Sequence, residues 1–414
     1  CMNLSKATTL GSVLPLNKLP ACMASMPNSG PASSSGKKEK MATDKRHNPN
    51  KIINCDKGLR LPNQMLFSIK INLNLRPKSK TKLVRIGNID LGELPLLLAP
   101  MEDVSDPPFR AVCKDHGADL MYTEFISSEG LIRDAAKSVK KLDIFDYERP
   151  IGIQIFGSDI ESMRESAIIS TKAGPDLIDI NYGCPVKNVA CKGAGAALLR
   201  DIPKMVAMTS EIVKATHLPV TVKTRLGWDE STKNVEEVAE RLQDIGIKAL
   251  TIHGRTRVQM YKGAADWSLI RAIKNNPRIQ IPIFGNGDVD SPEKALQMRN
   301  DYGVDGIMVG RASIGYPWIF NEIKHFFKTG NHLSKPDIAE RVAVCKKHLD
   351  FSIKWKGEVL GVIEMRRHYT NYFKGLDHFK DYRMKLVTTN EIPLLYATLD
   401  EVAARYAAAD EAAA

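Results

Sequence analysis

The feature that most constrains the fold is an alternation of short apolar runs with helix-like stretches between residues 84 and 320. Apolar runs of this length, bounded by polar residues and glycines, are typical of buried strands in a parallel sheet. The stretches between most of them have helical spacing, most clearly at 203–215, 235–244 and 291–299, and Ser291-Pro292-Glu293 predicts a helix start capped by Ser291. The eight apolar runs cover residues 94–99, 120–123, 151–155, 177–180, 220–222, 249–252, 281–284 and 306–309.

Eight strands that alternate with helices favour a closed (β/α)8 barrel over an open doubly wound sheet. No GxGxxG motif follows the first strand, which counts against a Rossmann dinucleotide-binding fold. After residue 336 the strand pattern stops, and 338–354, 361–373 and 395–408 have helical spacing. We therefore predict a TIM barrel at 83–330, followed by a small helical domain at 336–410.

The net charge of +11 comes from the first 82 residues of the chain. Residues 1–82 hold fifteen Lys and Arg against three Asp and Glu, a net charge of +12, which leaves −1 for the rest. Their Ser, Pro, Asn and Lys content, without a sustained apolar period, predicts a disordered or non-native basic tail. A transit peptide is the weaker alternative because the first 38 residues lack Arg; Met41 and Met65 are candidate start sites.

The cysteine spacing argues against two kinds of site. The seven cysteines form no CxxC pair and have no metal-ligand spacing with histidine, so neither a zinc site nor a disulfide framework is predicted. This usage is typical of a reducing compartment, and we expect a cytoplasmic protein without a metal. We also expect a monomer, and no apolar run approaches the length of a membrane span.

Polar residues and glycines follow nearly every predicted strand at its carboxyl end. In (β/α)8 barrels these ends form the active-site face, so the residues are expected to meet there. Lys223 and His253 are expected to point inward from the fifth and sixth strands. The candidates are Met101, Glu102, Asp103, Gln154, Asn181, Cys184, Lys223, Arg225, His253, Arg255, Asn286, Gly287, Asp288, Gly310 and Arg311.

The glycine-rich turns after the seventh and eighth strands predict an anion site. At 285–288 and 310–311, glycines let backbone N–H groups approach a phosphate, and a helix start adds its dipole. Each turn alone is also typical of a tight strand–helix connection. The run HGRTR at 253–257 places three cationic groups within five residues, which would repel one another without an anion nearby.

The run Asn181-Tyr182-Gly183-Cys184-Pro185 places a cysteine in a turn just past a buried strand. This position is poor for packing and suits delivery of a proton or a nucleophile to a molecule bound above it. The alternative is a small buried hydrophobe, the commoner role of a free cysteine. We expect structural roles for Cys113, Cys191 and Cys345.

Six motifs in sequence resemble those of the tRNA-dihydrouridine synthase family, over about residues 85–376. Lys187 and the run 253–267 resemble its bacterial B-type branch most. The motifs are LAPM at 98–101 with DPPFR at 106–110, NYGCPVKNV at 181–189 with GAALL at 195–199, VKTRLG at 222–227, HGRTR at 253–257, GNGD at 285–288 and VGR at 309–311.

The resemblance implies an FMN-bound barrel that reduces a specific uridine of tRNA to 5,6-dihydrouridine, with NADPH or NADH as the reductant. Hydride from the reduced flavin would reach C6 of the uracil ring, and Cys184 would be the general acid that protonates C5. An ordinary thiol has a pKa of about 8.5 and is mostly protonated near neutrality. We therefore expect the pKa of Cys184 not to be strongly depressed.

The resemblance also implies roles for the other candidates. Met101, Glu102 and Asp103 would border the flavin, Gln154 would bind its ring edge, and Lys223 would lie near the ring and the ribityl chain. The phosphate end would be surrounded by His253, Asn286, Gly287, Asp288, Gly310 and Arg311, with Asp288 capping the following helix or contacting the ribityl chain. Asn181 and Arg225 would hold the extruded uracil, and Arg255 is a further substrate candidate.

The helical domain mixes cations with aromatic residues. Between residues 345 and 385 there are ten Lys and Arg against five Asp and Glu. The runs MRRHY at 365–369 and YFKGL at 372–376 resemble the family's tRNA-binding domain, with Arg366, Arg367 and Lys374 as candidate contacts. The alternative is a solvated helix face above a core stripe.

Two other functions stay open at this point. One is a flavin barrel that acts on a free pyrimidine, like dihydroorotate dehydrogenase; the other is a noncatalytic RNA-binding barrel. The basic helical domain and the lack of a second cofactor motif favour the tRNA enzyme over the first. Cys184 and the cofactor residues argue against the second.

Overall fold

The structure of the protein, a computed structural model, describes residues 83–411. The predictions of a basic tail, a transit peptide and alternative start sites fall on residues 1–82 and lie outside the described residues. Between 83 and 411, no helix is both long and apolar enough to cross a membrane.

Eight parallel strands close into a barrel, which confirms the predicted fold class. The strands of the described chain are β1 (Arg85–Ile86), β2 (Ile89–Asp90), β3 (Leu96–Leu98), β4 (Met121–Tyr122), β5 (Ile126–Ser127), β6 (Ile151–Phe156), β7 (Leu177–Tyr182), β8 (Val220–Arg225), β9 (Ala249–His253), β10 (Ile283–Asn286) and β11 (Gly306–Val309). The order around the barrel is β3-β11-β10-β9-β8-β7-β6-β4, and β5 also pairs with β6. A parallel bridge from Leu97 to Leu120 joins the first and last strands of this order.

Helices follow most of the barrel strands. The α-helices are α1 (Pro107–Asp115), α2 (Ser128–Leu131), α3 (Ala136–Lys140), α4 (Ile160–Lys172), α5 (Lys187–Ala190), α6 (Ile202–Ala215), α7 (Val235–Asp244), α8 (Ser268–Asn275), α9 (Pro292–Tyr302), α10 (Ile319–Thr329), α11 (Ile338–Lys356), α12 (Glu358–Tyr372), α13 (Lys380–Thr388) and α14 (Ile392–Glu411). The predicted cap of α9 is confirmed, since the Ser291 hydroxyl accepts from the N–H of Lys294 at 3.1 Å.

The barrel interior changes from apolar to polar along its axis. At the amino end, the hairpin of β1 and β2 packs against apolar residues of the barrel strands, among them Leu97, Leu177 and Phe284. Further along, register partners on β6, β7 and β8 are Gln154, Asp179 and Thr221. This gradient closes the amino end with hydrophobic packing and leaves polar side chains for the carboxyl end.

A second hydrophobic core lies in the helices after residue 336, among α11, α12, α13 and α14. Gly361 lets α12 cross close to α11, because a Cβ there would lie 2.7 Å from the Cα of Ile353. The helix α13 was not predicted. Only Leu386 in it is fully buried, so its sequence has no apolar stripe to detect.

The indole of Trp267 packs directly on the backbone of β10. It is fully buried, and its Nε1 donates to the carbonyl of Gly287 at 3.3 Å. A Cβ built on Gly285 would lie 2.0 Å from the Trp267 ring, closer than any real contact. Only glycine therefore fits at position 285 while the indole keeps its place.

We predict that Gly285→Ala lowers the free energy of unfolding by about 3 kcal/mol, because the buried indole has no free space to move into. The matched control is Gly330→Ala, where nothing lies within 4 Å of the added Cβ and only the positive φ is strained. That control should lose about 1 kcal/mol. Urea unfolding followed by circular dichroism measures both; equal losses would show that the Trp267 packing is not rigid.

Candidate active site

A cavity of about 880 Å³ opens at the carboxyl ends of the barrel strands, within the range of ligand-binding pockets. Part of the cavity wall is apolar and includes Ala99, Phe125, Phe156 and Ile314. Lys223 and His253 face it, as predicted. The sequence-predicted residues that line it are Met101, Glu102, Asn181, Cys184, Lys223, Arg225, His253, Asn286, Gly287, Asp288, Gly310 and Arg311.

The loop after β7 holds Cys184 at the wall of this cavity. The Asn181 side-chain oxygen accepts from the N–H of Gly183 at 3.0 Å and of Cys184 at 2.8 Å. Arg225 Nε donates to the carbonyl of Gly183 at 2.8 Å. A Cβ on Gly195 would lie 3.1 Å from that of Cys184, so the GAALL segment supports the loop closely. The cysteine is thereby fixed in place, 6% exposed.

The thiol of Cys184 is kept protonated by its surroundings. Burial raises its pKa above the ordinary value, and the N–H of Val186 and the charge of Arg225 offset only part of that effect. The expectation that this pKa is not strongly depressed is confirmed. Near neutral pH the side chain therefore presents a proton to the cavity rather than a thiolate.

Two cations face the cavity without a carboxylate partner. Among the described residues, Lys223 Nζ has no hydrogen bond or ion pair, and burial lowers its pKa to about 8. Arg225 is 2% exposed and donates only to backbone carbonyls, of Gly183, Thr256 and Met260. Burial lowers its pKa to about 10, so both groups remain charged at neutral pH. Buried cations that form no ion pair indicate a site for an anionic or electron-rich ligand.

The repulsion expected within HGRTR is relieved inside the protein. Arg255 binds the carboxylate of Asp288 with both of its terminal nitrogens, at 2.9 and 2.7 Å. His253 carries no charge at neutral pH, because burial and then the cations Arg225 and Lys223 lower its pKa well below the usual value. Arg257 stacks on Trp228 at 4.6 Å. The anion that this run needs is therefore the side chain of Asp288.

One of the two roles predicted for Asp288, capping the following helix, is wrong. Its carboxylate also accepts from the N–H of Ala265 at 2.7 Å and from Arg311 at 3.2 Å. It does not cap the following helix, because Ser291 does so. Asp288 thus ties the turns after β9, β10 and β11 together at the edge of the cavity. Gly287 is required beside it, since a Cβ there would lie 2.8 Å from Ala265.

Several predicted residues lie away from the cavity wall. The guanidinium of Arg255 donates to Asp288, His253 and the carbonyls of Lys262 and Gly263, so its N–H groups all have partners within the protein. The amide of Gln154 is not part of the cavity wall: its nitrogen donates to Asp179 and its oxygen accepts from Asn181. The predicted site residues that do not line the cavity are Asp103, Gln154, Arg255, Arg366, Arg367 and Lys374.

The helical-domain candidates lie outside the cavity. Arg367 donates to the carbonyl of Asp103, next to Glu102 on the cavity wall. Arg366 donates to Asn390 at 2.6 Å, and Lys374 is exposed. These contacts place Arg367, at least, at the edge of the cavity where α12 meets the loop after β3.

The sequence analysis missed two aromatic features of the loops after the barrel strands, of which the first lines the cavity. Tyr261 is 54% exposed and lies beneath the guanidinium groups of Arg311 and Arg225, at 5.0 and 5.9 Å. The guanidinium groups of Arg200 and Arg257 lie over the ring of Trp228, at 4.1 and 4.6 Å from its centre. Tyr261 lies within the run 253–267, whereas Trp228 directly follows the motif at 222–227, and only the fold brings the loops after β7, β8 and β9 together. We call Arg200, Trp228 and Arg257 the Arg–Trp–Arg stack.

In enzymes with a closed (β/α)8 barrel the active site lies at the carboxyl face, where this structure places the protonated thiol and the two cations. The model of the dihydrouridine synthase (Dus) family matches residues 97–406. The chain is 41% identical over 303 residues to the tRNA-dihydrouridine synthase B of Pseudomonas putida, covering 73% of this chain and 89% of the relative. It is 37% identical over 302 residues to a probable tRNA-dihydrouridine synthase of Rickettsia conorii, covering 73% and 90%. The chain belongs to the dihydrouridine synthase family, which confirms the resemblance seen in its motifs.

The raised pKa of Cys184 predicts its alkylation behaviour. Because only the thiolate reacts, alkylation by iodoacetamide should reach half its maximal rate at a pH above the ordinary thiol value of about 8.5. The exposed Cys191 serves as an internal reference in the same digest, read by peptide mass spectrometry. A midpoint for Cys184 at or below neutral pH would contradict this environment.

Proposed function

We propose that the chain binds FMN in the barrel cavity and reduces a uridine of tRNA to 5,6-dihydrouridine. The observation that carries the proposal is the shared cavity, where the protonated Cys184 thiol lies on the same wall as Lys223 and Arg225. Membership of the dihydrouridine synthase family supports the substrate class. The names of the relatives, tRNA-dihydrouridine synthases, support tRNA as the carrier of the uridine.

The residues of the cavity fit a flavin mononucleotide. Lys223 and Arg225 supply positive charge and form no ion pair within the described residues, which suits an electron-rich ring or a phosphate. Gly287 and Gly310 leave backbone exposed at the cavity wall, where a Cβ on Gly310 would lie 3.4 Å from that of Ala99. We propose that Met101, Glu102, Lys223, His253, Asn286, Asp288 and Arg311 complete the site.

The chemistry requires one hydride and one proton. When bound, the reduced flavin supplies the hydride that adds to C6 of the uracil ring. The Cys184 thiol then gives its proton to C5, and the C5–C6 double bond is replaced by two C–H bonds. The raised pKa of the thiol keeps the proton available at neutral pH. The reductant that restores the flavin is NADPH or NADH, as in the expectation from the motifs.

Cys184 is well supported for this task by its neighbours. One N–H of the Asn181 amide remains after its hydrogen bond to Gln154, and it is available to a carbonyl of the uracil. Nη2 of Arg225 makes no hydrogen bond within the described chain and faces the same cavity. Both residues are therefore proposed to hold the extruded base.

The tRNA itself would contact both sides of the cavity mouth. On one side lie Arg366, Arg367 and Lys374 of the helical domain. The other side, after β7 and β9, carries cations that form no ion pair within residues 83–411: Lys187, Lys192, Arg200, Arg257 and Lys262. The strand β3, which lies beside the helical domain, is four strands away from β8 in the order around the eight-stranded barrel. The two surfaces therefore lie on opposite sides of the opening. We thus propose residues 83–330 as the catalytic barrel and 336–410 as the tRNA-binding domain.

We predict that Cys184→Ala keeps its flavin and its tRNA affinity but slows flavin oxidation by tRNA at least a hundredfold in a single turnover, because no acid remains to protonate C5. Stopped-flow absorbance measures this rate under anaerobic conditions. The control is Cys191→Ala, which removes an exposed thiol from the same loop region. An unchanged rate in Cys184→Ala would refute the proton-donor assignment.

We predict that Arg200→Ala combined with Arg257→Ala weakens tRNA binding. The slope of log K against log salt concentration should become shallower by about one to two units, because fewer phosphate contacts release fewer counter-ions from the tRNA on binding. Filter binding between low and moderate salt gives this slope. The control pair, Arg241→Ala with Arg278→Ala, removes equal charge from exposed ion pairs on α7 and before β10. A slope that falls equally in both pairs would show that the Arg–Trp–Arg stack is not a tRNA contact.

A further inference from the structure

A buried carboxylate lies one layer below the candidate active site. Asp179 is 1% exposed and is the register partner of Gln154 on β6 and of Thr221 on β8. Its two oxygens accept from the Thr221 hydroxyl and from the Gln154 amide nitrogen, both at 2.5 Å. Burial raises its pKa to about 6, so it is mostly ionised at neutral pH. It lines no part of the cavity, and the proposed chemistry does not use it.

From Asp179 a directed chain of hydrogen bonds leads to the catalytic loop. The Gln154 nitrogen donates to Asp179, and the Gln154 oxygen accepts from the Asn181 nitrogen at 2.9 Å. The Asn181 oxygen is thereby turned toward the loop, where it accepts from the N–H groups of Gly183 and Cys184. Each link runs in the same direction, from the loop N–H groups down to the carboxylate.

The direction of this chain is set at both of its ends, because the loop N–H groups only donate and an ionised carboxylate only accepts. A side-chain amide has nearly the same shape in its two orientations, so packing alone does not decide which end is nitrogen. An ionised carboxylate only accepts, which obliges Gln154 to point its nitrogen down and its oxygen toward Asn181. Asn181 must then point its nitrogen at Gln154 and its oxygen at the loop. Without the charge, the reversed chain would point the Asn181 nitrogen at two N–H donors and release the loop.

We propose that Asp179 is a positioning residue, which fixes the loop that carries Cys184 by setting the orientation of the Gln154 and Asn181 amides. Its importance for turnover rests on the proposed function, in which Cys184 must reach C5 of the uracil. The structural claim stands apart from that function, because it concerns only the hydrogen bonds of the Gly183 and Cys184 amides. Gln154 is then a link in this chain.

The decisive variant is Asp179→Asn, which keeps the shape and removes the charge. The amide introduced at position 179 can donate to the Gln154 oxygen and so permits the reversed chain. We expect the Gly183 and Cys184 amides to exchange hydrogen about tenfold faster, because each loses its acceptor. Hydrogen–deuterium exchange mass spectrometry on the full chain measures this directly. We also expect a slower single turnover with unchanged tRNA affinity.

The matched rescue moves the charge along the chain. In Asp179→Asn combined with Asn181→Asp, the carboxylate at position 181 accepts from the two loop N–H groups and from the Gln154 nitrogen, while the amide at position 179 donates to the Gln154 oxygen. Slow exchange of the loop should therefore return. Thr221→Val is the control: it removes a hydrogen bond to the same carboxylate but leaves both amide orientations unchanged. Its loop should exchange like the wild type.

Wild-type exchange in a folded Asp179→Asn, or no recovery in the folded double variant, would overturn the proposal. If Asp179→Asn does not fold, Gln154→Met cuts the same chain one link higher, and wild-type loop exchange in that variant would overturn it equally. The two proposals fail separately. Fast loop exchange in Asp179→Asn together with full activity of Cys184→Ala would leave the positioning role intact and reject the proton donor.

Discussion

One buried guanidinium holds together the loops that form the cavity mouth. Arg225, at the end of β8, donates to the carbonyl of Gly183 in the cysteine loop, at 2.8 Å. It donates as well to the carbonyls of Thr256 and Met260 in the loop after β9, at 3.0 and 2.9 Å. A buried cation that binds only carbonyl dipoles keeps its full charge facing the cavity. The same residue thus orders the wall and makes that wall attractive to an anion.

The local distribution of charge differs from the net charge of the folded part of the chain. The chain after residue 82 has a net charge of −1, yet unpaired cations collect at the barrel mouth. Acidic residues are used inside the wall, where Asp288 neutralises Arg255 and holds Arg311. The result is a surface with unpaired cations on a nearly neutral body, which suits the proposed contact with tRNA.

The sequence was sufficient to predict the features that depend on periodicity and strand ends. The eight strands, the cap at Ser291 and the inward direction of Lys223 and His253 follow from such local patterns. The pairing of Arg255 with Asp288 was not predictable, because these residues are 33 positions apart and either had a plausible ligand role. The helix α13 was not predicted because only one of its side chains is fully buried, so its sequence has no apolar pattern with helical spacing.

The direction of the hydrogen bonds within the barrel could also not be predicted from the sequence. Gln154, Asp179 and Asn181 are visible as polar residues on neighbouring strands, but only the register of β6 and β7 shows that they meet. The Arg–Trp–Arg stack likewise needs three loops to converge. The contacts between helices and strands are therefore needed to tell which residues line the cavity and which residues position the lining side chains.

The central claim is that this cavity reduces uridine within tRNA. The most direct measurement incubates purified protein, FMN and NADPH with tRNA that lacks dihydrouridine, and maps the product nucleosides by mass spectrometry. The account predicts conversion at a defined uridine, to a nucleoside heavier by two hydrogen atoms, and no conversion of free uracil. Turnover of free uracil or dihydroorotate with no change in the tRNA would contradict it.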